Sequence, residues 1–207
     1  MRRLIRIATL SAVWLAAAAA AAAGPAPRSV GGFTLDRPIE EFKDRVHLET
    51  SLPVRYMENI HEVEVHPIPG VKSGLIAYAT CREPHRIVRI KLKYEDGSVK
   101  AFEELFRRFK KQFGEPGEYR GDPFKNLVVW KWSFSDAEGG RISMTLQHNA
   151  LDEDEKMGNA VKLTLLNRIE EDERCFRESG RSRRDQRRER PAVPGKPGDP
   201  WDFLIPR

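Results

Sequence analysis

The segment RIVRIKLKYE, residues 86–95, constrains this chain more than any other. Val88, Ile90, Leu92 and Tyr94 alternate with Arg89, Lys91 and Lys93, and successive side chains of a strand point to opposite faces. One face of the strand is therefore apolar and the other is a row of cations. A parallel sheet buried on both sides cannot accept such a row, whereas an antiparallel sheet with one packed face and one wet face can.

Other segments repeat the pattern. NIHEVEVH (59–66) and SGLIAYATC (73–81) read as strands. LVVWKWSF puts Val128, Trp130, Trp132 and Phe134 on one side, DAEGG turns the chain, and RISMTLQH answers with Ile142, Met144 and Leu146, which predicts a hairpin. AVKLTLLN adds a strand through Val161, Leu163 and Leu165. Between them lie helical periods. DGSVKAFEELFRRFKKQFGEP spaces Phe102, Leu105, Phe106, Phe109 and Phe113 along one helix face and ends at Gly114 and Pro116. GGFTLDRPIEEFKDRV predicts a short strand and then a helix, with Asp36 as cap, Pro38 in the first turn, and Ile39, Phe42 and Val46 on one face. The charged RIEEDERCFRES reads as a last helix. The expected fold is α+β: a largely antiparallel sheet with helices on one face, written as two helix-plus-three-strand units in a single domain over residues 31–176.

The opening GGFTLDRPIEEF of the first unit, and FEELFRRFKKQFGEP leading into a W-x-W strand and hairpin in the second, resemble small exported bacterial domains. These are of the β-lactamase-inhibitor-protein-like and outer-membrane-assembly-lipoprotein type. The chain departs from the lipoprotein members in having no cysteine near its amino-terminal apolar run. The resemblance implies a binding or assembly module and supplies no catalytic residues.

Both ends differ in composition from the body. Residues 1–23 have the three parts of a signal peptide: Arg2, Arg3 and Arg6, an apolar centre from Ile7 to Leu15, and small residues from Ala16 to Ala23. Residues 24–30 read as a short linker. Periplasmic export of the mature chain is expected, with no transmembrane span, since no apolar run reaches the roughly 18–20 residues a span requires. The formal charge of +5 belongs to these ends. Three arginines up to Ala23, and seven arginines against three acids over 177–190, leave a slightly acidic body. Residues 177–207 form a flexible basic tail rich in Pro and Gly, closed by WDFLIPR. Export removes the opportunity to meet nucleic acid, and no aromatic residues are interleaved for base stacking. An envelope protein or an anionic envelope surface remains as partner. Trp201 and Phe203 restore large apolar side chains after the linker, which suggests a terminal peptide that docks.

Cys81 and Cys175 are the only cysteines. In an exported chain an even count predicts a disulfide, here one that ties the last helix to the end of a strand. On the strand NIHEVEVH, Glu62, Glu64 and His66 share a face and offer a carboxylate and imidazole set for a divalent ion. The plainer account makes them the wet side of a strand whose Val63 and Val65 are buried, and it is favoured because no His-x-His or His-Glu-x-x-His spacing occurs. Trp130 and Trp132 are either core or a recognition surface, and their common period-two side favours core. The acidic LDEDEK at 151–156 lacks the glycine and spaced ligands of a calcium loop. No nucleophile elbow, phosphate-binding loop or dinucleotide fingerprint is present, so no catalytic residue and no cofactor is assigned.

Overall fold

The fold is taken from a computed structural model, which describes residues 26–124, 126–150 and 158–188. Strands β1 (Ser29–Val30) and β2 (Phe33–Thr34) form a small hairpin. Its turn residues Gly31 and Gly32 both have positive φ, 59° and 78°, a conformation that costs glycine little. A 3₁₀ segment, Ile39–Arg45, leads into β3 (Val46–Val54), β4 (Met57–Val65), β5 (Val71–Ala79) and β6 (Ile87–Tyr94). Helix α1 (Val99–Phe113) leads into β7 (Glu118–Gly121), β8 (Leu127–Ser135), β9 (Arg141–Asn149) and β10 (Gly158–Leu165). Helix α2 (Leu166–Arg188) follows.

Strands β3 to β10 form one eight-stranded sheet in the order β3-β4-β5-β6-β10-β9-β8-β7, with every pair antiparallel. Each half of the sheet is a four-strand meander introduced by a helical segment. The halves meet where their last strands, β6 and β10, pair from Lys93 opposite Ala160 to Arg89 opposite Thr164. The molecule is thus mixed α+β and mostly sheet. Each unit has one strand more than the sequence predicts, and the additional strands β3 and β7 are the two outer edges.

The apolar sides of the strands meet in one main core that includes Val63, Ile76, Ile90, Leu92, Met144, Leu146 and Leu163. Burying each such side chain contributes about 1.5–3 kcal/mol. Helix α1 lays Phe102, Leu105, Phe106, Phe109 and Phe113 against this core. Its start is fixed by Ser98, whose Oγ accepts from the Ala101 amide at 3.2 Å. Its end is fixed by Gly114, whose φ of +79° suits a residue without Cβ and whose amide donates to Lys110 O.

The segment read as the first helix is 3₁₀, not α. It has seven residues between Pro38 and the start of β3, and Ile39 and Phe42, three apart, eclipse on one side in that geometry. A smaller cluster of Ile60, Ala77, Ala79 and Val88 packs with Ile169 of α2. Ile60 and Ala77 alternate with Val63 and Ile76 along their strands, so the two long helices do not share one apolar layer. Cys81 and Cys175 are disulfide-bonded, with Cα atoms 6.0 Å apart and 94 residues between them in sequence. No helix among the described residues is long and apolar enough to cross a membrane.

Candidate functional site

Strand register builds the site. One cross-strand row runs Glu64, Leu75, Lys91, Lys162, Thr145, Lys131, Glu118, each directly opposite the next. The row beside it runs Glu62, Ala77, Arg89, Thr164, Ser143. Both rows occupy the positions that alternate with the main core, so they form the second face of the sheet. At their middle lies a recess of about 240 Å³. Its floor is Leu75, Ala77 and Ala160, two of them small enough to leave space. Its walls are Arg89, Lys91, Lys162 and Glu62, with the neutral Thr145 and Gln147. A second recess of about 460 Å³ adjoins it, sharing Leu75 and Lys91 and reaching Lys93, Glu64, His47 and His66.

Charge is distributed unevenly on this face. Towards β7, Glu118 accepts from Lys131 at 2.9 Å and from Arg120 at 2.5 Å, so those cations are matched. In the recess, Arg89, Lys91 and Lys162 form no ion pair among the described residues, and Lys91 stands directly opposite Lys162. Like charges so placed are destabilising. The Arg89 Nε is buried and has no hydrogen-bond partner among the described residues. Desolvation holds Arg89 below the ordinary guanidinium range, against the attraction of Glu62. Desolvation, and then the neighbouring Lys93, lowers Lys91; desolvation, and then Arg89 and Lys91, lowers Lys162. Such a group of donors can take an oxyanion by charge-assisted hydrogen bonds.

The three residues read as a metal set are separated. Glu62 belongs to the basic recess, whereas Glu64 and His66 line the adjoining one beside His47, whose ring lies 4.1 Å from that of His66. Among the described residues no three His, Cys, Asp or Glu side chains converge as metal ligands would. Trp132 is only 2% exposed, and its Nε1 donates to Gly114 O at 2.9 Å beneath α1. Trp130 stacks on Phe106 at 5.0 Å and touches Tyr119 at 4.7 Å, so both tryptophans serve the core. Trp201, Phe203, LDEDEK and the signal segment lie outside the described residues. The sequence reading missed Lys162, Thr145 and Gln147. Alternation in AVKLTLLN already places Lys162 on the wet side of its strand.

Two further features frame the face. The first hairpin of each half carries an exposed aromatic: Tyr56, 87% exposed with Arg55 over its ring at 4.9 Å, and Phe124, 83% exposed. At the corner nearest α2, Asp172 is 1% exposed and accepts from Asn59 Nδ2 at 3.0 Å and from the Cys81 and Arg82 amides at 2.9 and 2.6 Å. This contact and the disulfide hold α2 on the first half of the sheet.

The fold and the site define a mixed α+β protein, mostly sheet, with a basic recess on the sheet face opposite its aromatic core. No protein family, no curated protein sequence and no solved structure matches the chain.

Proposed function

We propose that the chain is an exported, periplasmic binding module without catalytic activity of its own, which captures an envelope protein through the second face of its sheet. The observation that carries this reading is the recess at the centre of that face, where three cations outnumber the one acid, Glu62, and form no ion pair among the described residues. Exposed aromatics at the two first hairpins add anchors of the kind that dominate protein interfaces. The resemblance to small exported inhibitor and assembly domains points the same way.

The test is capture from envelope extract with four forms of the mature chain: unaltered, Gln147→Trp in the recess, Lys111→Trp on the outer side of α1, and a truncation after Arg188. A partner retained by the unaltered, Lys111 and truncated forms and lost by Gln147→Trp places binding on the sheet face. Retention by Gln147→Trp, or loss on truncation alone, refutes it and moves the interface elsewhere.

A further inference from the structure

We infer that Arg89, Lys91 and Lys162 form an anion site that receives a carboxylate side chain from an acidic segment of the partner protein. The inference rests on the binding-module reading and names its chemistry. Across the same sheet face Glu118 pairs with Lys131 and Arg120. The three recess cations, on the adjacent strands β6 and β10, are left without such a partner among the described residues. Two of them face each other across the ladder, and the buried Arg89 Nε has no hydrogen-bond partner among the described residues. A carboxylate in the recess accepts charge-assisted hydrogen bonds from the cations that line it and offsets the repulsion between the lysines.

The shape of the recess chooses among anions. Leu75, Ala77 and Ala160 give the recess an apolar floor against which the methylenes of a glutamate can lie. At about 240 Å³ the recess is smaller than the roughly 300–1,000 Å³ typical of sites for drug-sized ligands, and it suits a single side chain.

The probe is a hexaglutamate peptide titrated calorimetrically into the full mature chain at low salt, beside inorganic phosphate and vesicles of anionic phospholipid. Lys91→Gln/Lys162→Gln is expected to weaken hexaglutamate binding by about tenfold or more, while the unliganded variant melts at a higher temperature because the cross-strand repulsion is gone. The single charge reversal Lys162→Glu is expected to weaken binding as much and serves should the double variant not fold. Lys110→Gln/Lys111→Gln on α1 is expected to change affinity by less than about twofold. Unchanged binding in the recess variants overturns the inference, as does an equal loss in the α1 control. Phosphate or vesicles bound through Lys91 and Lys162 in preference to hexaglutamate also overturn it. If capture depends on Gln147 but hexaglutamate does not bind, the binding module stands and this inference alone falls.

Discussion

Asp172→Ala tests whether α2 is latched onto the sheet as described. The substitution removes three hydrogen bonds of 3.0 Å or less, from Asn59 Nδ2 and from the Cys81 and Arg82 amides. It also weakens a corner where the Thr80 amide approaches at 3.4 Å. Bonds to a charged group are worth about 1.5–3 kcal/mol each. The two amide bonds are part-buried, so water recovers some of that, and about 1 kcal/mol per bond is the expected net loss, or about 3 kcal/mol in all. For a domain of this size each kcal/mol lowers the melting temperature by about 2–4 °C, so a fall of about 6–12 °C is expected. Thermal and urea unfolding with the disulfide intact measure the loss, and amide hydrogen exchange locates it, with the Cys81 and Arg82 amides exchanging faster. A loss under about 1 kcal/mol, or unchanged exchange at those two amides, would refute the latch.

Replacing both Cys81 and Cys175 by alanine should destabilise the protein by roughly 4–5 kcal/mol in the loop-entropy account, given the 94-residue separation; unfolding in denaturant checks this, and a change under about 1 kcal/mol contradicts it. Trp132→Phe keeps an aromatic ring but loses the donor to Gly114 O, and a cost of about 1–2 kcal/mol is expected from chemical unfolding. Gly32→Ala should destabilise by about 1–3 kcal/mol, because φ is +78° and the new Cβ would lie 2.4 Å from the Arg45 guanidinium; a neutral result in the same assay argues against strain there. Burial pushes the Tyr94 phenol up to about 12 from its usual 10. The stability this confers is whole below pH 10 and is lost as pH climbs towards 12, since the unfolded state releases its proton first. Tyr94→Phe should flatten that part of the stability profile, and an unaltered slope above pH 10 would count against a buried phenol.

Strands whose alternation is strong were legible in the sequence, and so was α1. The edge strands were not. In β3, Leu48 and Leu52 are exposed, Pro53 interrupts the ladder and the register shifts twice, so little apolar periodicity remains to be read. Strand β7 has four residues, all but one of them exposed. Edges are paired on one side only, and their sequences are free of the demand that both neighbours impose. At the site, the wet row Arg89-Lys91-Lys93 followed from alternation alone. Its meeting with Lys162 did not, because that depends on β6 choosing β10 as neighbour, a pairing between distant segments that no local pattern encodes. Glu62, Glu64 and His66 were placed on a common face for sound reasons. Only the register across β5 reveals that Glu62 stands in line with Arg89, while His66, beyond the end of β4, lines the neighbouring recess. The common period-two side of Trp130 and Trp132 favoured core, and both rings pack beneath α1.

The seam between β6 and β10 is where the two halves of the sheet meet to complete the recess. Arg89 and Lys91 come from one half of the sheet and Lys162 from the other, so neither half carries the basic recess by itself. The disulfide and Asp172 tie α2, which follows the second half, back to the end of β5 in the first. A chain nicked between the halves would stay covalently joined through that bond, whereas a half-folded chain would lack the recess altogether. The recess is therefore complete only when both meanders have formed and closed on each other.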